Sequence, residues 1–343
     1  MRFQAAVLAA PKKFEVEEVE IPSIGPDQML VKVKACGVCM SDSETYLGKG
    51  VQWGGASVDY PQRLGHEASG IVEEVGRNVK GFKPGDRITG SLGGGVDVKG
   101  KPLAGFAEYI VVDFKRLRAI GWTAAIVKVP ESVPFEYALG EPLTCCVNIV
   151  QWAPPMMGDY FLELGCGFMG LLVIAGLAYR SLRELIACDL EDYRLKLAKE
   201  MGATSTINSK NVDVIEEVKK ITNGRMCDVV YEGIGHPIGV TLASKVIRQN
   251  GKILLFGYHG TPNTYDLRWV AFNAATVYNP HGTYQPDPRI YERNLETAIW
   301  AVEKGIYPMK KVITHKFKLD ELNKAYEMAL GRTAGYIKGV VVP

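Results

Sequence analysis

No apolar run in this chain is long enough to cross a bilayer. The longest, Phe168 to Tyr179, is short and interrupted by two glycines, whereas a span needs about 20 residues. No basic tract exists either: Lys and Arg are scattered and the formal net charge is +2, so neither nucleic acid nor an anionic membrane is an expected partner. Cysteine is sparse, with 7 residues at positions 36, 39, 145, 146, 166, 188 and 227. An odd number, several inside apolar strand-like runs, does not make a disulfide framework. Cys36-Gly-Val-Cys39 has no second CxxC pair, which excludes a four-cysteine zinc site, and it lacks the βαβ surroundings of a thioredoxin-like redox pair. There is no repeat of 20–50 residues and no low-complexity segment. Met1 to Ala10 is mildly apolar, but strand-like Phe14-Glu-Val-Glu17 follows. It reads as an N-terminal strand rather than a signal peptide, and a cytoplasmic location is expected.

What is present is ordinary for a soluble globular protein: 343 residues, 47% hydrophobic and 23% charged, enough for two domains with separate cores. From Met1 to about Lys128 the pattern is short alternating segments, such as Val31-Lys-Val-Lys-Ala, punctuated by Gly and Pro. This predicts an irregular β-rich domain. The loop from Gly90 to Gly105 holds six glycines and no cysteine, and is expected to be flexible and metal-free. An apolar helix is expected over about 135–153. From Asp159 the period changes to strands separated by helices, which predicts right-handed βαβ units and a parallel sheet. After Thr283 a helix (289–304), a strand (312–317), a second helix (319–330) and a last strand (337–342) are expected to return to the first domain.

Gly165-Cys-Gly167-Phe-Met-Gly170 follows the strand Tyr160-Phe-Leu-Glu-Leu and opens a helix. An acid, Asp189, stands nineteen residues beyond Gly170. In that context GxGxxG is a dinucleotide fingerprint: Gly165 allows the tight turn, Gly167 lets backbone approach a pyrophosphate, and Gly170 packs helix on strand. The helix N-terminus then offers free N–H groups and a positive dipole end to the phosphates. Asp189 would accept from both ribose hydroxyls and repel a 2′-phosphate, so NAD is expected over NADP. Phe168, Met169 and Arg194 complete the expected cofactor-contacting set.

Cys39 and the run Gly65-His66-Glu67 supply sulfur, nitrogen and oxygen donors of the kind that suit zinc. Three protein ligands leave a fourth position for water or substrate, as in a catalytic site. Glu141, just before Pro142 in an apolar run, is either a first-turn helix acid or a further ligand. Ser41, two residues after Cys39, is either a helix-capping serine or a proton carrier. His236, His259, His281 and His315 have no such spacing and read as loop or strand residues.

Taken together, Cys36-Gly-Val-Cys39-Met-Ser41-Asp42, Gly65-His66-Glu67, Lys83-Pro-Gly-Asp86-Arg, Gly105-Phe-Ala-Glu-Tyr109, Glu141-Pro-Leu and the glycine turn with Asp189 give a chain that resembles the zinc-dependent medium-chain alcohol dehydrogenases over essentially its whole length. The resemblance implies an α/β protein: a GroES-like β-rich catalytic domain (1–153, completed by 284–343) interrupted by a Rossmann domain with a doubly wound parallel sheet (154–283). The active site would lie in the cleft between them. It implies one catalytic zinc held by Cys39 and His66, with Glu67 as a close third ligand. Glu141 could also be a ligand, as in the sorbitol dehydrogenase-like branch, and Asp42 would orient the ligand histidine. Two departures stand out. The four-cysteine lobe that holds a second, structural zinc in many relatives has no counterpart in 90–105, and Glu44 stands where relatives often carry a relay histidine.

The expected reaction is hydride transfer between NAD(H) and a secondary alcohol, with Ser41 as first proton carrier and Glu67 beside the metal. Glu44, Trp53 and Glu141 lean the substrate toward a polyol, cyclitol or sugar-like alcohol. The alternatives are an aldehyde or ketone reductase of the same fold and a non-catalytic nucleotide-binding protein; a metal-free quinone or enone reductase would not need the ligand set. A homo-oligomer, dimer or tetramer, is expected through the sheet edge near Val277.

Overall fold

The computed structural model describes residues 1–50, 58–119, 125–152, 155–260, 262–280 and 287–343. Trp53, His281 and both expected domain boundaries lie outside the described residues. The chain divides into two compact units. The first comprises Met1–Thr144, Gln285–Gly305 and Val312–Pro343; the second comprises Cys145–Tyr284 and Ile306–Lys311.

The first unit opens with β1 (Arg2–Ala10) and β2 (Lys13–Glu20), an antiparallel pair. Next come β3 (Gln28–Gly37), a 3-10 turn at Met40–Asp42, α1 (Ser43–Leu47), β4 (Glu67–Val75), β5 (Arg87–Gly90), β6 (Tyr109–Asp113), α2 (Phe114–Ala119) and β7 (Ile126–Lys128). A 3-10 turn at Phe135–Tyr137 precedes α3 (Gly140–Trp152), so the helix expected from 135 starts at Gly140. The division between the units falls inside α3.

In the second unit, β8 (Tyr160–Leu164), α4 (Phe168–Leu177), β9 (Glu184–Asp189), α5 (Asp192–Glu200), β10 (Ser205–Asn208), α6 (Val214–Ile221), β11 (Cys227–Glu232), α7 (Pro237–Val246), β12 (Ile247–Leu255), α8 (Arg268–Phe272) and β13 (Thr276–Tyr278) alternate. The chain ends with α9 (Pro288–Glu303), α10 (Met309–Val312), β14 (Ile313–Phe317), α11 (Leu322–Leu330) and β15 (Lys338–Val341).

The return segment matters most for the first unit. Its seven-stranded sheet runs β14-β15-β3-β4-β5-β7, with β6 on β3. Gly37 at the end of β3 pairs with Glu67 on β4 and with Val340 on β15. Residues 37, 67 and 340 of the chain therefore meet at one point. An aromatic stack locks the return helix in place: Tyr326 of α11 lies 4.7 Å from Tyr46 of α1 and 5.5 Å from Phe14 of β2, ring centre to ring centre. The glycine-rich 90–105 loop, expected to be slack, is tied down at Asp97, which is buried. Asp97 accepts from Lys99 N (2.8 Å), Lys101 N (2.9 Å) and Arg63 Nη2 (2.9 Å). Burial alone would raise the Asp97 pKa, but these bonds outweigh it and hold it below the usual carboxylate range.

The second unit is a parallel six-stranded sheet in the order β10-β9-β8-β11-β12-β13. β8 is wholly buried, as strands covered by helices on both faces must be. The order in which strands are added reverses between β8 and β11, outward to β10 on one side and to β13 on the other, which makes that junction the topological switch point where ligands bind in such folds. The helix α4 is apolar all round and almost entirely buried, which explains the long apolar run in the sequence without a membrane. Among the described residues no helix is long and apolar enough to cross one.

Candidate active site: metal centre and dinucleotide turn

The metal centre belongs to the first unit. Cys39 sits in extended backbone at the start of the 3-10 turn after β3, and His66 immediately precedes β4. Gly65 has φ +102, and a Cβ there would lie 2.8 Å from Phe106 N and 3.0 Å from Cys36 Sγ. Only glycine can deliver His66 at this close approach. Cys39, His66 and Glu67 each place a donor atom within 4.8 Å of the others.

The surrounding groups orient these donors. Asp42 Oδ1 lies 3.4 Å from His66 Nδ1, which turns Nε2 toward the sulfur. Tyr326 OH donates to Asp42 Oδ2 at 3.2 Å. Burial works against an imidazolium at His66, yet Asp42 and the Cys39 sulfur outweigh it and raise its pKa well above the usual range. A corner that attracts a proton so strongly is electrostatically suited to a cation. Ser41 is not a helix cap: its hydroxyl donates to Cys39 Sγ at 3.1 Å and lies 3.4 Å from His66 Nε2. Cys36, by contrast, is fully buried and burial pushes its thiol pKa up, so the CxxC spacing joins a candidate ligand to a packing residue.

One partner was not foreseen in the sequence. Lys338 of β15 reaches across Gly37 to Glu67, its Nζ 2.7 Å from Oε1 and 2.6 Å from Oε2. Both side chains are buried, 7% and 1% exposed. Burial disfavours the ammonium, but Glu67 and the Cys39 sulfur hold the Lys338 pKa above the ordinary lysine range. A Cβ at Gly37 would fall 1.9 Å from Glu67 Oε2, so the pair exists only because that residue is glycine. Only Oε1 meets hydrogen-bond geometry. Apart from that 2.6 Å ion-pair contact with Lys338, Oε2 has no hydrogen-bond partner among the described residues, and a buried carboxylate oxygen beside a thiol and an imidazole is the donor chemistry that zinc takes. Glu141, in the first turn of α3, stands outside the group of three. Burial, the largest influence, raises its pKa, and His66, Glu67, Lys338 and Asp42 are all near enough to act on it. Glu44 is half-buried on α1.

The dinucleotide turn belongs to the second unit. Gly165 has φ +102; a Cβ at Gly167 would meet nothing within 4 Å, and one at Gly170 would strike Gly165 O at 2.2 Å and Glu163 Oε1 at 2.6 Å. Gly167 thus leaves open the space that a pyrophosphate needs, while Gly170 permits helix-on-turn packing. Asp189 ends β9 and turns back on the glycine turn: Oδ2 accepts from Cys166 N (2.8 Å) and Oδ1 from Glu191 N (2.9 Å). A carboxylate has about four acceptor sites, so two ribose hydroxyls remain within its capacity. Arg194 lies 3.9 Å from Asp189 Oδ2 and donates to Tyr193 OH. Phe168 and Met169 form the first turn of α4, with Phe168 buried and Met169 half-buried near Cys146.

Comparison with known proteins agrees with both halves. Residues 25–121 match the family described as alcohol dehydrogenase GroES-like domain, and residues 169–297 match zinc-binding dehydrogenase. The chain is 30% identical to sorbitol dehydrogenase of Bacillus subtilis over 351 residues, covering 99% of this chain and 97% of that one. It is 32% identical to L-threonine 3-dehydrogenase of Pyrococcus horikoshii over 345 residues, covering 93% of each. The crystal structure of 2R,3R-butanediol dehydrogenase from Bacillus subtilis superposes with a TM-score of 0.81 at 26% identity, covering 99% of both chains. The chain belongs to the zinc-dependent medium-chain dehydrogenases. It is an oxidoreductase of that family, one that works with zinc and a nicotinamide cofactor.

Proposed function

We propose that this enzyme oxidises a secondary alcohol of the polyol, cyclitol or sugar-like class, with NAD rather than NADP as the acceptor. The observation that carries the reading is the meeting of Cys39, His66 and Glu67 within 4.8 Å, on a chain that also builds a glycine turn capped by an acid. Bound zinc supplies Lewis-acid polarisation of an alcohol oxygen, and bound nicotinamide supplies the acceptor for the electron pair of the adjacent C–H bond.

The chain's own groups do the rest. Cys39, His66 and Glu67 are the proposed metal holders, and Glu141, outside that group, is the proposed further carboxylate. Asp42 keeps the His66 ring turned by its Nδ1. Ser41 Oγ, already against the sulfur and the imidazole, is placed to take the alcohol proton. Gly167 and the N-terminus of α4 take the pyrophosphate, and Asp189 favours free ribose hydroxyls over a 2′-phosphate. One zinc per chain is proposed, because the 90–105 loop offers no cysteine.

The relatives named sorbitol dehydrogenase and erythritol/L-threitol dehydrogenase support a polyhydroxy substrate, and those named L-threonine 3-dehydrogenase make an amino alcohol the rival. A homo-oligomer through β13 is also proposed. That strand ends the sheet with Val277 45% exposed, and neighbouring α8 shows solvent Trp269 and Phe272, an edge that invites pairing. Metal analysis combined with NAD- and NADP-linked assays on polyols, cyclitols and amino alcohols tests the reading. The expected result is about one zinc per chain and NAD-dependent turnover of a polyol. Absence of zinc with no turnover would leave a non-catalytic nucleotide-binding protein.

A further inference from the structure

In the second unit, at the carboxyl ends of β11 and β12, three polar side chains form a continuous relay that the reading above does not use. Glu232, the last residue of β11, is fully buried. Its Oε1 accepts from Ile234 N and Gly235 N, both at 2.9 Å, and its Oε2 lies 3.0 Å from His259 Nε2. The other ring nitrogen, Nδ1, lies 2.9 Å from Tyr265 OH. The hub also ties the two turns together through backbone: Phe256 N and Gly257 N both donate to Glu232 O, at 3.0 and 2.8 Å. There is no room for side chains between the turns, since a Cβ at Gly257 would lie 2.1 Å from Gly235 N and 2.8 Å from Glu232 Oε2.

The directions of these bonds follow from chemistry. A carboxylate only accepts, so His259 donates from Nε2, and in the neutral tautomer its Nδ1 accepts from the Tyr265 hydroxyl. The phenolic oxygen can then still accept a hydrogen bond from outside. Tyr265 is half-buried rather than sealed in the core. Burial first, and Glu232 second, push the pKa of neighbouring Glu163 well above its ordinary value.

Position identifies what the relay would serve. In a doubly wound sheet a dinucleotide lies across the switch point, with one nucleotide at each half. The glycine turn after β8 and Asp189 after β9 belong to the half that takes the pyrophosphate and the adenosine ribose. The relay stands on the opposite half, β11–β12. We propose that His259 and Tyr265, held by Glu232, are positioning residues for the nicotinamide half of the cofactor, with the Tyr265 oxygen matched to an amide N–H of the carboxamide. The assignment rests on the cofactor reading above and adds to it three residues outside the glycine fingerprint.

The test uses two ligands that share the adenosine and pyrophosphate but differ in the nicotinamide: NADH and ADP-ribose. Full-length zinc-loaded parent, Tyr265→Phe and His259→Gln would be titrated with each by calorimetry, and thermal midpoints measured alongside. Net loss of one or two hydrogen bonds corresponds to about three- to tenfold weaker binding. Both variants should lose about that much affinity for NADH while holding ADP-ribose within about twofold, with KM for NAD raised and KM for the alcohol unchanged. NADH affinity at the parental value in both variants, or parallel losses for NADH and ADP-ribose, would overturn the assignment. Parent protein that binds neither ligand would sink the cofactor reading itself and this assignment with it. Glu232→Gln is a harsher variant, because it also disturbs the backbone hub.

Discussion

Glu67 in the first unit and Glu163 in the second are both almost wholly removed from water, at 1% and 0% exposure. Each presses against a glycine, with Cβ clashes of 1.9 Å at Gly37 and 2.6 Å at Gly170. Their electrostatic treatment is opposite. Glu67 is met by the Lys338 ammonium at 2.6 Å. Glu163 has no hydrogen-bond partner for either oxygen among the described residues, and burial together with Glu232 raises its pKa well above the ordinary value. The first solution suits a corner that must hold a cation. The second suits a place beneath a phosphate-binding turn, where another fixed negative charge would oppose the ligand. Burial alone therefore says little about a carboxyl group; the neighbour that evolution supplied, or withheld, decides its state.

The comparison breaks most visibly at Lys338. Lys338→Met leaves Glu67 buried without a counter-charge, and the expected loss is about 3–5 kcal/mol of unfolding free energy in denaturant titration. Adding Glu67→Leu should recover most of that loss, because a well-packed apolar pair replaces a buried ion pair at little cost. Zinc content should nevertheless fall in the double variant. Recovery of stability with unaltered zinc would show that Glu67 plays no part in holding metal.

Glu163 sharpens the contrast from the other side. Its folded-state pKa lies above the unfolded value of about 4.3, so the native state binds the proton more tightly. Native stability should then fall as pH rises above that unfolded value. Glu163→Leu lacks this dependence, and should exceed the parent by about 1–3 kcal/mol at pH 8 while the gap narrows toward pH 4.5. Thermal midpoints across pH decide it; a gap that stays constant or grows toward acid would mean that Glu163 is ionised in the folded protein.

Asp189 is a carboxylate of the second unit that does keep hydrogen-bond donors. Asp189→Gly should weaken NAD by about tenfold and improve NADP relative to it, read as the ratio of kcat/KM for the two cofactors. An unchanged ratio would remove Asp189 from the cofactor assignment. The effect should be the smallest of these on folding, since the residue lies at the end of a strand rather than inside a core.

Much of the fold was legible because the signals are local. The strand–turn–helix around Gly165 and Gly170, the α/β alternation and the alternating pattern of β3 each reflect residues within a few positions of one another. Cys39, His66 and Glu67 were legible as chemistry, and Asp42 through resemblance. The start of α3 was misplaced because the apolar pattern continues through a 3-10 turn at Phe135–Tyr137. Lys338 escaped notice although it interrupts an apolar terminal strand, Ile337-Lys-Gly-Val-Val. The same signal, a charge inside an apolar run, marks Glu163 in Tyr160-Phe-Leu-Glu-Leu. His259 read as a loop residue, and it is one; nothing in its neighbourhood of sequence points to Glu232, 27 positions away.

Residue type and short-range spacing were sufficient for the parallel sheet, the glycine turn and the set of metal donors, because steric freedom at glycine, hydrophobic period and ligand chemistry act over a few bonds or one turn. Which acid meets an ammonium, which meets no hydrogen-bond partner among the described residues, and which imidazole gains a carboxylate behind it were settled only when β15 folded back beside β3 and the turns after β11 and β12 closed on each other. Those outcomes depend on distances of 2.6 to 3.0 Å between segments up to 271 residues apart, and no local pattern encodes such distances.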